Sequence, residues 1–353
     1  MRTLSHHILL AALILTFSAA GCQQLQVGYY LTPQNIPTLS ATSTQPPGGG
    51  DSAADGPPPS PTAPAAPVTP TLQPSLSPTR TPIPCDETRG SILQESFSSR
   101  LTGKAFRYRI YLPPCYAATA RRYPVLIMLH GLGEGMDDSQ WDQLGLDEAA
   151  DEGFAQGVLA PLIIVMPNGN DADHAGFNGP SPFPEVVVQE LIPHVQARFC
   201  TWNDPDLWAI GGLSRGGFWA YWIAFQHPEL FGRVGGHSPY FYEPDFPTDK
   251  NPANLVDTAE GLDRLSMYFD HGPQDYDEVI AGVQDFVTRL ERRGIHPEVV
   301  INLVGGHTED YWARHVGDYL SFYAADWPRE VEDFPSCHEP SPTGGSRQAS
   351  QSP

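Results

Sequence analysis

The chain has 353 residues, 40% of them apolar, and carries 20 Lys and Arg against 41 Asp and Glu, a formal net charge of −21. That length suits one large domain with appendages, and that charge argues against nucleic acid or an anionic membrane surface as the main partner. The 37 prolines exceed average usage and are unevenly placed, so they mark the organisation.

At the start, Arg2 precedes an apolar run over residues 8–17, followed by Ser18-Ala19-Ala20-Gly21-Cys22. The run is short for a bilayer span but suits the apolar segment of a signal peptide. Residues 1–21 are therefore expected to be an export signal, which puts the working protein outside the cytoplasm. Ala20-Gly21-Cys22 resembles the cleavage site of bacterial lipoproteins, where the Cys is acylated and anchors the chain to a membrane. Ala19 departs from the Leu usual in that motif, and ordinary cleavage after Ala20 is the competing reading. Residues 22–84 are dominated by Pro, Thr, Ser, Ala and Gly, too few large apolar groups to offset ordering entropy, and are expected to form an extended tether. Residues 338–353 have the same composition.

Residues 85–337 read as one domain in which strands and helices alternate. Ala105–Leu112 alternates like a strand and ends at Pro113-Pro114. Val125–Leu129 and residues 162–166 are continuous apolar runs, as in strands buried on both faces. Val188, Leu191, Ile192, Val195 and Phe199 fall at helical spacing. Residues 207–210 form a strand leading into Gly211-Gly212-Leu213-Ser214, and Arg215–Gln226 reads as a buried, aromatic-rich helix. Residues 265–269 and 299–303 are strands, separated by a helix with Val279, Val283, Phe286, Val287 and Leu290 on one face. This alternation implies an α/β fold, a mainly parallel sheet covered by helices on both faces. Leaving Cys22 aside, four cysteines remain. Cys85 and Cys337 bracket the domain, and Cys115 and Cys200 each sit just before a core strand, so the layout favours Cys85–Cys337 and Cys115–Cys200 disulfides.

Gly212-Leu213-Ser214-Arg215-Gly216 matches Gly-x-Ser-x-Gly between a strand and a helix. In that setting the Ser sits on a tight turn that exposes its hydroxyl, and small residues two before and two after avoid the neighbouring chain. A serine hydroxyl needs a base, and His307 in Gly305-Gly306-His307 follows the last strand, where a loop can return it to Ser214. The following segment, through Trp312, would set an aromatic over the site and restrict water. For the acid that orients the imidazole, Asp270, Asp275, Asp277 and Glu278 all follow the strand ending at Phe269. Asp275, beyond the Gly272-Pro273 turn, is the first choice, with Asp270 and Asp277 as alternatives. The Gly-rich loop after Leu129 offers the Leu132 N–H as one oxyanion donor, paired with the N–H of Arg215. That loop lacks the Lys-Ser/Thr of a phosphate-binding loop, and no cysteine or histidine pair has metal-ligand spacing, so neither cofactor nor catalytic metal is expected.

Tyr111-Leu112-Pro113, Leu129-His130-Gly131, Val165-Met166-Pro167-Asn168-Gly169, Glu190-Leu191-Ile192-Pro193, Gly212-Leu213-Ser214-Arg215-Gly216-Gly217 and Gly305-Gly306-His307 with Trp312 resemble, in order, the esterase D family of the α/β-hydrolase superfamily. That family includes feruloyl and acetylxylan esterases, S-formylglutathione hydrolases, enterochelin esterases and mycolyltransferases. The resemblance implies the Ser214, Asp275, His307 assignment and the Leu132 oxyanion position, and places Trp141 at the entrance. The expected activity is that of a serine carboxylic-ester hydrolase acting on acylated polysaccharide or a small acyl ester. An acyltransferase passing the acyl group to a sugar or lipid hydroxyl is the alternative, and an inactive surface binding module the remote one.

Overall fold

The computed structural model describes residues 85–173, 181–242 and 251–338. The expected export signal at 1–21, the expected acylation site Cys22, the expected tether over 22–84 and the tail after His338 lie outside the described residues.

Among the described residues, eight strands form one sheet in the order β1-β2-β4-β3-β5-β6-β7-β8. They are β1 (Ser91–Ser98), β2 (Ala105–Leu112), β3 (Val125–Leu129), β4 (Ile163–Pro167), β5 (Trp208–Leu213), β6 (Arg233–His237), β7 (Ser266–His271) and β8 (Glu298–Ile301). The β1–β2 and β2–β4 pairs are antiparallel, whereas the pairs from β4 through β8 are parallel. Helices cover both faces, so the central strands carry apolar residues without alternation, and β3, β4 and β5 are buried at every position. Within β3 the period-two geometry still sorts side chains. Val125, Ile127 and Leu129 join one core, while Leu126 and Met128 join the other.

Five longer helices matter here: α1 (Leu146–Ala155), α2 (Ile192–Arg198), α3 (Arg215–Gln226), α4 (Asp277–Arg292) and α5 (Glu309–Tyr323). In α4, Val279, Val283, Phe286 and Leu290 form a buried stripe, with Asp277 and Glu278 in the first turn and Arg289 and Arg292 in the last, the arrangement the helix dipole favours. Thr308 caps α5 by accepting the Tyr311 N–H, and the helix buries Tyr311, Trp312, Val316, Tyr319, Leu320 and Tyr323. Because β5, β7 and β8 run parallel, the loops that follow them all emerge at one edge of the sheet. Ser214, Asp275 and His307 lie on those three loops.

The disulfides differ from the expectation of Cys85–Cys337 and Cys115–Cys200. The structure joins Cys85 to Cys115 and Cys200 to Cys337, with Cα separations of 5.8 and 5.5 Å. Strand pairing explains both. Antiparallel β1 and β2 place Ser91 opposite Leu112, so the chain just before β1 meets the chain just after β2. At the other bridge, the segment before β3 lies between its two neighbours: Tyr123 N–H donates to the Cys200 carbonyl, and Cys337 N–H donates to the Ala120 carbonyl. Order along the chain suggested a bracket; proximity across the strands decides otherwise.

Candidate active site

Ser214 sits between β5 and α3 with φ 53° and ψ −115°, a backbone conformation that non-glycine residues rarely adopt. Three contacts hold it there. Its N–H donates to the His237 carbonyl at 2.9 Å, and its own carbonyl accepts from Phe218 and Tyr240 N–H groups at 3.2 Å. The glycines on either side are required by close approach. A Cβ on Gly212 would lie 2.4 Å from the Gly216 carbonyl carbon, and one on Gly216 would lie 2.2 Å from the Leu129 carbonyl oxygen. The turn can be this sharp only with both side chains absent.

His307 reaches the serine because its loop is joined to the loop after β7. Gln274 N–H donates to the Gly305 carbonyl at 2.9 Å, and Gly305 N–H donates to Gln274 Oε1 at 2.6 Å. Gly272 allows the two loops to touch, since a Cβ there would fall 2.0 Å from the Gly305 oxygen. The imidazole then lies between two partners. Its Nδ1 is 2.8 Å from Asp275 Oδ1 and its Nε2 is 2.8 Å from Ser214 Oγ. A carboxylate only accepts, so Nδ1 carries the proton and Nε2 is left to accept from the serine hydroxyl. Tyr276 N–H also donates to Asp275 Oδ1 at 2.9 Å, fixing the carboxylate from behind.

The other two acids go elsewhere. Asp270 is fully buried and bonds His237, Tyr311 and Tyr319, and Asp277 is exposed in the first turn of α4. Of the three, Asp275 is the one that contacts His307.

On the loop after β3, His130 and Gln140 grip one residue from two sides. Gln140 Oε1 accepts the Gly131 N–H at 2.8 Å, and His130 Nδ1 donates to the Gly131 carbonyl at 2.7 Å. His130 Nε2 accepts the Gly169 N–H at 3.0 Å, and burial holds its pKa below the usual imidazole range, which keeps this donor–acceptor arrangement neutral. In a trans peptide the C=O and the next N–H point in opposite directions, so anchoring the Gly131 carbonyl aims the Leu132 N–H away from His130. Among the described residues that N–H has no acceptor. Arg215 N–H opens α3, where the helix dipole favours negative charge. The Arg215 side chain is buried over the Phe218 and Trp219 rings, at 4.6 and 4.8 Å, and burial pulls its pKa down to about 9.

Trp141 does not line the entrance. It is buried, its indole N–H donates to the Leu129 carbonyl at 3.0 Å, and it packs edge-on against His237 and Tyr319. An indole with a backbone acceptor inside the core is stable there and has no reason to face solvent. Trp312 does meet His307, edge-on at 5.0 Å, but it too is buried and backs the imidazole without presenting a face to substrate. The aromatic that is open at this point is Tyr276, 55% exposed, with its ring centroid 4.7 Å from that of His307. Nothing in the sequence pattern singles out Tyr276, Gln274 or Gln140; only the residue after the acid and the loop after β3 were available as hints.

A family model described as Esterase matches residues 98–330. This chain belongs to the Esterase family. The endo-1,4-beta-xylanase/feruloyl esterase of Xylanibacter ruminicola is 34% identical over 169 residues, 45% of this chain and 23% of that protein. An esterase of Mycobacterium tuberculosis is 31% identical over 191 residues, 52% of this chain and 39% of that protein. The chain thus matches less than half the length of each of these esterase relatives. A solved ferulic acid esterase superposes with a TM-score of 0.60 at 23% identity, over 67% of this chain and 99% of that one. An S-formylglutathione hydrolase from Staphylococcus aureus gives 0.57 at 19% identity, over 67% and 99%. The fold is that of the α/β-hydrolases.

Proposed function

We propose that the protein is an exported serine carboxylic-ester hydrolase that works through an acyl-enzyme on Ser214. The observation that carries this reading is the unbroken line from Ser214 Oγ through His307 to Asp275, each link 2.8 Å, with Ser214 on a strained turn and Gly131 held by Gln140 at its N–H and by His130 at its carbonyl. His307 Nε2 takes the hydroxyl proton as Oγ attacks the ester carbonyl, and Asp275 holds the tautomer and stabilises the imidazolium. The N–H groups of Leu132 and Arg215 receive the oxyanion. Collapse breaks the ester C–O bond, and the proton on His307 passes to the departing alcohol. Water, deprotonated by the same histidine, then releases the acid and restores Ser214.

The relatives support a substrate class, since one of them carries a xylanase and a feruloyl esterase activity in its name. An acyl ester on plant-type polysaccharide, or a small ester of the same acid, fits that company. Two disulfides suit an oxidising compartment, and acylation at Cys22 would hold the domain at a membrane by way of residues 22–84.

The test is chemical labelling. A fluorophosphonate probe should modify Ser214, and Ser214→Ala should lose both labelling and ester hydrolysis, the rate falling by about 10⁴-fold or more. A Ser214→Ala protein with near wild-type activity overturns the reading.

A further inference from the structure

His307 has two roles in acylation, and the second fixes where the alcohol must be. To protonate the departing oxygen, Nε2 has to lie within about 2.6 to 3.2 Å of it. The alcohol half of the ester therefore leaves across the imidazole, while the carbonyl oxygen points toward Leu132 and Arg215. Of the rings beside His307, Trp312 is buried, so it offers the alcohol nothing. Tyr276 is the open one, tilted 33° to the imidazole at 4.7 Å and 55% exposed.

The main chain of Tyr276 is already committed. Its N–H donates to Asp275, and its carbonyl accepts from Val279 and Ile280 at the start of α4. Those bonds hold the backbone whatever the side chain is. The ring, by contrast, leaves much of its surface in water, and its hydroxyl has no hydrogen-bond partner among the described residues. A flat apolar surface with a polar rim, fixed at its base and uncovered on its outer side, matches the C–H face and hydroxyl edge of a sugar ring.

We propose that Tyr276 determines specificity for the alcohol half of the ester: a sugar bearing the acyl group lies on its ring while His307 gives that sugar's oxygen the proton. The ester C–O bond breaks, the acyl carbon stays on Ser214 Oγ, and the freed hydroxyl departs over Tyr276. This inference rests on the esterase reading above. By microscopic reversibility, any alcohol that attacks the acyl-enzyme in place of water enters over the same ring.

The full chain can be assayed with two acetyl esters, acetylated xylo-oligosaccharide and ethyl acetate, which form the same acyl-enzyme and differ only in the alcohol. Tyr276→Ala and Tyr276→Leu should each lower the ratio of kcat/KM for the sugar ester over the ethyl ester by about tenfold, the loss lying in KM for the sugar ester. Tyr276→Phe, which keeps the flat face, should recover most of that ratio. Fluorophosphonate labelling of Ser214 in each variant reports that the site is intact. An unchanged ratio in labelled Tyr276→Ala and Tyr276→Leu overturns the inference and leaves the esterase reading standing. A wild type that turns over neither ester and takes no fluorophosphonate label on Ser214 overturns both.

Discussion

The sheet edge that carries Ser214 holds two His–Asp pairs of nearly the same internal geometry. In one, His307 Nδ1 lies 2.8 Å from Asp275, and in the other His237 Nδ1 lies 2.9 Å from Asp270. The acids are five residues apart at the end of β7 and in the loop beyond it. What separates the pairs is the partner of the second ring nitrogen. His307 Nε2 faces the Ser214 hydroxyl beside exposed Tyr276, whereas His237 Nε2 accepts from the Tyr323 hydroxyl with no solvent in reach. Burial pushes the Tyr323 phenol well above its usual pKa, so it keeps the proton that it donates to His237 Nε2. Asp270 accepts two further hydroxyls, from Tyr311 at 2.5 Å and Tyr319 at 3.2 Å. A His–Asp dyad is thus not a catalyst by itself; the same dyad, closed over by tyrosines, becomes a structural knot.

Substitution should separate the two pairs cleanly. Asp275→Asn should lower ester hydrolysis by about 10⁴-fold through loss of tautomer control, with an unfolding midpoint close to wild type. Steady-state rates and a urea titration on one preparation check both halves, and an active Asp275→Asn enzyme would remove the distinction. Asp270→Asn should do the reverse. Leaving a buried histidine and two tyrosine hydroxyls short of a charged partner should cost about 3 to 5 kcal/mol in stability, while the rate of the folded fraction drops less than tenfold. Equal stability of Asp270→Asn and wild type would contradict the knot.

The smallest effect is that of pH. Burial lowers the pKa of both His237 and His130, so the folded chain keeps them neutral where the unfolded chain takes up protons. Their contribution is whole above the unfolded value of about 6.5 and is lost as pH falls below it, by at most about 1.4 kcal/mol per pH unit for each ring. Urea unfolding between pH 7 and pH 5 should show that decline, and His237→Gln should flatten its slope. A slope unaltered by that substitution would mean that His237 does not titrate between the two states.

Much of the fold and of the site was legible in the sequence. β3 and β4 announced themselves as unbroken apolar runs because both of their faces are covered. Ser214 and His307 were marked by glycine spacing, which reflects steric need at the turn. β6 was not legible, since Arg233-Val234-Gly235-Gly236-His237 has little of a strand's composition. Gly235 is there because the Tyr323 hydroxyl would lie 2.2 Å from a Cβ at that position. That reason lives on another helix. The misplacement of Trp141 and of both disulfides has the same origin, contacts between segments distant in sequence. Choosing among Asp270, Asp275 and Asp277 likewise depends on which way a short loop turns once Gln274 has joined Gly305.

The conformation at Ser214 has a consequence for anyone selecting hardier variants of this protein. A non-glycine residue held at φ 53° carries about 1 to 3 kcal/mol of backbone strain. Glycine at that position would relax it. Random mutagenesis screened for heat resistance alone should therefore favour loss of Ser214, and survivors of such a screen need to be counted by turnover as well as by melting temperature.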